Sequence, residues 1–128
     1  MQQHDTKKKK ELMQIACKLC DASVCEVKTA CILVKGDTII STSWNSDERH
    51  AEIAALQGPQ LALAANNDYV LYTTRFPCPE CSVIIANSGI KKVIYMSDHF
   101  TSNNAGRALL ESFAVTVEQM PETEVWRD

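Results

Sequence analysis

Strand-like and helix-like segments alternate along this chain, and their order constrains its fold more than any other feature. The strand-like segments are short runs rich in β-branched and apolar residues, namely Thr29–Val34, Thr38–Trp44, Tyr69–Thr74, Lys91–Ser97 and Ala114–Glu118. The helix-like segments carry apolar residues at helical spacing or helix-capping residues, namely Glu11–Val24, Ala51–Gln57, Pro79–Ser88 and a segment that Asn103 or Asn104 caps and that ends at Phe113. Strands joined by helices need crossover connections, which pair the strands in parallel in a sheet covered on both faces. This order predicts an α/β fold with three layers, α/β/α.

The first two strands are the exception, because only Lys35-Gly36-Asp37 separates them. A tight polar turn of this kind predicts an antiparallel hairpin, so the five-stranded sheet should be mixed. A helix separates the fourth strand from the fifth, and that crossover predicts that strands 4 and 5 are parallel. We expect the last eight residues, from Pro121 onward, to form a partly frayed tail.

Length and composition limit the classes of protein to consider. The chain has 128 residues, of which 45% are apolar, and we expect residues 1–128 to form a single domain. The net charge of −3 provides no basic field for binding duplex nucleic acid. No apolar run reaches the about 18 residues of a membrane span, and the N-terminal segment lacks the apolar stretch of a secretory signal. We therefore expect a cytoplasmic protein without a membrane partner, whose six cysteines are thiols or metal ligands.

Two short motifs carry groups suited to metal chemistry, namely His50-Ala51-Glu52 and Pro77-Cys78-Pro79-Glu80-Cys81. Cys78 and Cys81 are three residues apart at a predicted helix start, so both sulfurs can reach one metal ion. His50 supplies a third ligand from the facing helix. Three protein ligands leave the fourth tetrahedral position open, which is typical of catalytic zinc. Glu52 follows His50 closely enough to accept a proton from a water molecule at that position.

The combination of H-x-E with P-C-x-x-C is the signature of zinc-dependent nucleobase deaminases. The segment YTTRFPCPECSVIIANSGIKKVIYMSDHF resembles the core of deoxycytidylate (dCMP) deaminases. The segment ILVKGDTIISTSWNSDERHAEIAAL is similar to the strand, hairpin and helix found in both dCMP and tRNA adenosine deaminases. Together these segments cover Ile32 to Phe100, and the chain therefore resembles the cytidine deaminase superfamily, with dCMP deaminases the most similar members.

This resemblance implies a cytidine deaminase-like fold and a role for each motif residue. The zinc ligands would be His50, Cys78 and Cys81, and Glu52 would be the catalytic proton carrier. Substrate contacts would come from Asn45 to the sugar, from the backbone of Ala51 to the base edge and from Phe100 beside the base. The implied reaction converts a cytosine nucleotide, dCMP or CMP, to the uracil nucleotide with release of ammonia. Most relatives form subunit contacts through their ligand-bearing helices, so we expect a homo-oligomer, a dimer at least.

Two departures from the dCMP deaminase pattern concern the phosphate. Only four residues separate Asn45 from His50, where dCMP deaminases carry a longer insertion that often holds phosphate and effector contacts. The arginine that those enzymes carry before the first strand has no clear match, and Lys28 is the nearest cation. A 5′-phosphate needs a cation near the sugar, and the candidates are Lys28, Arg49 and Arg75.

Several alternatives stay open at this point. The substrate could be a free nucleoside or a modified base, and after these a tRNA or single-stranded DNA, which the acidic pI of 5.6 disfavours. Cys78 and Cys81 could be a redox pair, as in thioredoxin-like sites, but this leaves His50 and Glu52 unexplained. A non-enzymatic alternative is a structural four-cysteine zinc module. Cys17 and Cys20 would complete it, although the two pairs are much farther apart than in zinc ribbons. A second zinc among Cys17, Cys20, Cys25 and His4 is a further possibility.

Overall fold

Five strands form one mixed sheet in the order β2-β1-β3-β4-β5. The structure is a computed structural model and describes residues 6–23, 25, 28–36, 38–46, 69–77, 79–97 and 104–126. The strands are β1 (Ala30–Lys35), β2 (Thr38–Trp44), β3 (Tyr69–Arg75), β4 (Lys92–Ser97) and β5 (Thr116–Gln119). β1 is antiparallel to both β2 and β3, whereas β4 is parallel to both β3 and β5. The predictions of an antiparallel hairpin, a mixed five-stranded sheet and parallel strands 4 and 5 are confirmed.

Four α-helices are described, and they cover both faces of the sheet. They are α1 (Thr6–Leu19), α2 (Pro79–Ala86), α3 (Asn104–Ser112) and α4 (Glu122–Val125), and a 3₁₀ turn over Cys20–Ala22 follows α1. The helix predicted over Ala51–Gln57 lies outside the described residues. Apolar side chains of α1 and α4 join Ile32, Tyr72 and Ile94 in one buried cluster. Those of α2 and α3 join Leu33, Leu71 and Val93 in another. Alternate residues of a strand point to opposite faces, so the two clusters lie on opposite sides of the sheet and the three-layer prediction is confirmed.

Helix α1 begins at Thr6 and ends at Leu19, whereas the apolar pattern extended as far as Val24. The four consecutive lysines, Lys7 to Lys10, lie in its first turns, as expected for a charge run that directly precedes the apolar pattern of a helix. Lys9 Nζ forms an ion pair with Glu118 on β5 at 3.1 Å. Lys92 on β4 also forms an ion pair with Glu118 at 3.1 Å. This carboxylate therefore links α1 to the two parallel strands β4 and β5.

Two further expectations near the C-terminus are wrong. Ala114, which the sequence assigned to the fifth strand, has a φ of 63° and lies in the turn after α3. Its amide donates to the carbonyl of Glu111, so it ends the helix and the strand starts only at Thr116. The segment from Pro121 is not frayed as far as Trp126, because it contains α4. Val125 is fully buried in the core on the α1 face, and its carbonyl accepts a hydrogen bond from Gln14 Nε2 at 2.8 Å.

Among the described residues, no helix combines the length and apolar character needed to cross a membrane.

Candidate active site

The carboxyl ends of the parallel strands β3 and β4 meet at one edge of the sheet. Arg75 and Ser97 are partners in register at this edge, and the amide of Phe76 donates to the carbonyl of Ser97 at 2.9 Å. The chain then leaves β3 and enters α2 at Pro79. Ligand sites of α/β sheets form outside the carboxyl ends of the strands. The segment that carries the two predicted cysteine ligands therefore begins where the fold favours a binding site.

The antiparallel hairpin brings a second predicted residue to the same edge. β2 ends at Trp44, which lies opposite Ala30 at the start of β1. Ala30 in turn lies beside the end of β3, because its amide donates to Thr74 Oγ1 at 3.1 Å. Asn45 follows Trp44 directly, so it lies at the edge from which α2 departs.

The Asn45 side chain has a fixed orientation. The backbone amide of Asn45 donates to the carbonyl of Thr29 at 2.9 Å. The side-chain Oδ1 accepts hydrogen bonds from the backbone amide of Thr29 at 3.0 Å and from Ser23 Oγ at 2.7 Å. Both bonds use the carbonyl oxygen of the side chain, so the opposite side of the amide presents an N–H donor. A donor held in this way suits a ligand hydroxyl such as that of a sugar.

Cys81 lies in the first turn of α2, and its side chain is fully buried. It is not disulfide-bonded. A buried thiol at a helix N-terminus is a suitable zinc ligand, because the helix end favours the thiolate. The other predicted site residues, namely His50, Ala51, Glu52, Cys78 and Phe100, lie outside the described residues. The structure thus brings Asn45 and Cys81 to one edge of the sheet and does not describe the remaining members of the proposed site.

A cleft of about 330 Å³ opens at this edge, on the face covered by α1 and α4. Its cations are Lys28 and Arg75, two of the three candidates for binding a phosphate. The other lining residues are Cys17, Cys20, Thr74, Met96, Ser97, Glu122 and Trp126. A volume near 300 Å³ is at the lower end of the range for small-molecule sites. Lys28 Nζ donates to the carbonyl of Ser23, the residue whose hydroxyl orients Asn45.

Two cysteines of this cleft pack as thiols. Cys17 Sγ donates to Met96 Sδ at 3.5 Å, and Cys20 Sγ lies 3.6 Å from Thr74 Oγ1. Burial raises the pKa of Cys17 to about 11, and the nearby Cys20 and Glu122 add to this effect. Cys17 is therefore protonated at neutral pH.

The described residues contain no group of three or more His, Cys, Asp or Glu side chains that could hold a metal ion. Cys17, Cys20 and Cys81 are all described, so the structure does not assemble these three for the four-cysteine module. Cys25 is described as well, and it does not complete a metal-binding group with Cys17 and Cys20. The second-zinc alternative therefore lacks its cysteine set, while His4 lies outside the described residues.

Sequence reasoning missed Ser23 and Thr74, which organise this edge. Ser23 Oγ donates to Asn45, and Thr74 uses its hydroxyl to bind the amide of Ala30 and its carbonyl to accept from Ser97 Oγ at 2.9 Å. The two adjacent threonines at the end of the third predicted strand were a signal, since hydroxyls at a strand end can satisfy backbone groups that the ladder leaves unpaired. Ser23 gave no comparable signal, because its partner is distant in sequence.

A known protein family matches this chain over most of its length. The family model described as the cytidine and deoxycytidylate deaminase zinc-binding region matches residues 6–97. That span includes both motifs, from His50 to Cys81. The resemblance found in the sequence is confirmed, and so is the expectation of a zinc cofactor, because the matching region is defined by zinc binding.

Individual relatives agree with the family match. The deoxycytidylate deaminase of Enterobacteria phage T2 is 30% identical over 95 residues, which cover 70% of this chain and 48% of the phage protein. The guanine deaminase of Bacillus subtilis is 34% identical over 82 residues, which cover 62% of this chain and 52% of that protein. The chain thus spans about half the length of these relatives. The crystal structure of the dCMP deaminase from cyanophage S-TIM5 with dCMP and dUMP is 27% identical, has a TM-score of 0.77, and matches 92% of this chain and 100% of the phage chain.

Proposed function

The chain belongs to the family of cytidine and deoxycytidylate deaminases, and we propose that it is a zinc-dependent hydrolytic deaminase that converts a cytosine nucleotide, dCMP or CMP, to the uracil nucleotide and ammonia. One observation carries this proposal beyond family membership. The oriented Asn45 amide, the buried Cys81 and a cleft with two cations lie at a single edge of the sheet. These are the groups needed for a sugar, a metal and a phosphate.

His50, Cys78 and Cys81 are the proposed zinc ligands. One imidazole and two thiolates suit zinc and would leave room for a water molecule beside it. Bound zinc would lower the pKa of that water, so that a nucleophile would be present near neutral pH. The buried, disulfide-free thiol of Cys81 fits this role, because a thiolate at that position needs a compensating cation.

Glu52 is the proposed proton carrier. Its carboxylate takes a proton from the attacking water and gives it to the ring nitrogen next to the amino-bearing carbon. It then takes the remaining hydroxyl proton and gives it to the amino group, which leaves as ammonia. Water and the cytosine nucleotide are thereby converted to ammonia and the uracil nucleotide with no other reactant. One carboxylate can serve both transfers, because each returns it to its ionised form.

Asn45, Ala51 and Phe100 are the proposed substrate-positioning residues. Asn45 can donate its side-chain N–H to a sugar hydroxyl, because Ser23 and Thr29 already hold its carbonyl oxygen. The backbone of Ala51 would bind the polar edge of the base and Phe100 would lie beside its ring, as the family resemblance implies.

Lys28 and Arg75 favour a nucleotide over a nucleoside. Both line the cleft at the edge of the sheet where Asn45 would hold the sugar. A phosphate monoester carries nearly two negative charges at neutral pH, and two cations in one cleft can bind it. The whole chain has a net charge of −3, so this attraction is local and does not extend to a polyanion.

We propose that residues 1–128 act as one deaminase domain in the cytoplasm, which the absence of disulfides among the five described cysteines supports. We also propose a homo-oligomer, because α2 leaves the large apolar side chains of Val83 and Ile84 exposed, at 47% and 37%. Sedimentation that shows only monomers at about 10 µM or above would contradict an oligomer of ordinary micromolar affinity.

An ammonia-release panel tests the substrate assignment. The substrates are dCMP, CMP, dCTP, deoxycytidine, cytidine, cytosine, adenosine and guanine, each at several concentrations with the zinc-loaded chain. We expect the highest kcat/KM with dCMP or CMP. Guanine is the most informative competitor because of the similarity to a guanine deaminase. A higher kcat/KM for guanine, adenosine or a free nucleoside would contradict the nucleotide assignment. The chain would then be a deaminase that acts on that other substrate.

A further inference from the structure

Helix α3 approaches α2 very closely at one residue pair. Gly106 of α3 is buried, and a Cβ built on it would lie 2.9 Å from Ser82 Oγ. The same Cβ would be in ordinary contact with Phe76 Cε2 at 3.5 Å and with Ser82 Cβ at 3.6 Å. Among the described residues, the hydroxyl of Ser82 is therefore the group that lies too close to a methyl group at position 106. An alanine at position 106 therefore requires the Ser82 hydroxyl to rotate out of its present position or the two helices to move apart.

The hydroxyl of Ser82 does not stabilise this contact. Ser82 is fully buried, and its Oγ has no hydrogen-bond partner among the described residues. A serine whose hydroxyl is not used can be replaced by alanine without loss of a hydrogen bond. Ser82 is the residue directly after Cys81 in the first half of α2, so a shift of the α2 backbone at Ser82 displaces the buried thiol as well.

Arg107, the residue after Gly106, contacts Phe76, which directly precedes the segment Pro77–Cys81. The guanidinium of Arg107 lies 5.0 Å from the ring centroid of Phe76 and 5.4 Å from that of Tyr95, and it donates to Tyr95 Oη at 2.6 Å. Phe76 and Tyr95 also pack edge to face at 4.9 Å. Phe76 precedes the segment Pro77–Cys81, so α3 contacts the chain on both sides of that segment.

We propose that Gly106 is a positioning residue for the zinc site, because its missing side chain lets α3 hold α2 at the depth at which Cys81 binds the metal. This inference rests on the proposed function, which makes Cys81 a zinc ligand. Gly106 touches neither the metal nor the substrate in this account. It acts through Ser82, and Arg107 supports it by fixing Phe76.

Four variants test the proposal through zinc affinity: Gly106→Ala, Ser82→Ala, the double variant of both, and Leu12→Ala. Zinc affinity is measured by competition with a chromophoric chelator, and the cobalt–thiolate absorption of the Co²⁺-loaded chain reports the geometry at the cysteines. Gly106→Ala should bind zinc about 10- to 100-fold more weakly, the range for loss of a residue that supports a metal ligand. Ser82→Ala should bind zinc as the wild type does.

The double variant gives the decisive comparison. It lacks the hydroxyl that clashes with the new methyl group, so zinc affinity and the cobalt spectrum should return close to the wild-type values. Leu12 is buried on the opposite face of the sheet, so Leu12→Ala should lower the unfolding temperature without weakening zinc binding. This control separates a loss of stability from a displaced ligand.

Unchanged zinc affinity in Gly106→Ala, or a double variant as weak as Gly106→Ala, would overturn the inference. If Gly106→Ala does not fold, the double variant must fold and bind zinc like the wild type, and its failure would overturn the inference too. A wild-type chain that binds no zinc would refute the proposed function, and the inference that rests on it, before any variant is compared. A wild type with one zinc and a Gly106→Ala variant of equal affinity would refute the inference alone.

Discussion

Lys28 and Arg75 provide the sharpest test of how this chain selects a nucleotide. Both line the cleft at the carboxyl edge of β3 and β4. Lys28 Nζ donates to the carbonyl of Ser23 and has two further protons available for an anion. Replacing either residue with methionine keeps an unbranched apolar stem of similar reach and removes the charge. Binding of the phosphate should weaken, whereas the base and the sugar keep their contacts.

The two variants should differ in magnitude. A hydrogen bond to a charged group contributes about 1.5–3 kcal/mol, and about 1.4 kcal/mol corresponds to a tenfold change. Arg75 is half-buried, so Arg75→Met should lower kcat/KM for dCMP about 10- to 100-fold. Lys28 is exposed, and water screens its charge, so Lys28→Met should cost only about fivefold.

The assay is ammonia release with dCMP and with deoxycytidine, and the quantity compared is the ratio of the two kcat/KM values. This ratio should fall in both variants, and more steeply in Arg75→Met. Lys35→Met is the matched control, because Lys35 lies at the opposite end of β1, 5.5 Å from the ring centroid of Tyr69. Its ratio should equal that of the wild type. A ratio unchanged in both Lys28→Met and Arg75→Met would refute the assignment of the phosphate to this cleft.

Two further predictions concern stability and thiol reactivity. Val125→Ala should lower the free energy of unfolding in urea by about 2 kcal/mol, because Val125 is fully buried against α1, and an unchanged urea midpoint would show that α4 does not contribute to the core. Cys17 should react slowly with iodoacetamide at pH 8, and its rate should keep rising towards pH 11 because burial raises its pKa to about 11. Peptide mass spectrometry measures that rate, and a plateau below about pH 9, near the ordinary cysteine pKa, would contradict the shift.

The sheet could be predicted because its signals are local. The turn at Lys35-Gly36-Asp37 lies between two β-branched runs, and the helix between the last two strands forces them to be parallel. The errors arise where distant residues decide the structure. The helix that contains Val125 was missed, because it is stabilised by packing against α1, which lies at the other end of the sequence. Contacts across more than 100 residues leave no trace in local periodicity.

In the candidate site, too, local motifs could be predicted from the sequence and contacts between distant residues could not. The proposed zinc ligands and the proposed proton carrier come from two short motifs, because zinc chemistry needs particular residues at a fixed spacing. Ser23 could not be found in this way, since its role depends on the side chain of Asn45, 22 residues later. Gly106 is one glycine within a helical pattern, and only the packing of α3 against Ser82 explains it. A glycine within a helical pattern indicates that another part of the chain packs closely there, but it does not identify that part.

In the proposed site, zinc binding and proton transfer belong to different residues. The most direct measurement is the zinc content and the rate of ammonia release of Glu52→Ala, with Cys81→Ala measured alongside as the variant that loses a ligand. Glu52→Ala should keep about one zinc per chain, because the three proposed protein ligands remain, and its turnover should fall by at least about 10²- to 10⁴-fold. Cys81→Ala should lose both zinc and turnover. Loss of zinc in Glu52→Ala, or turnover near that of the wild type, would contradict the account.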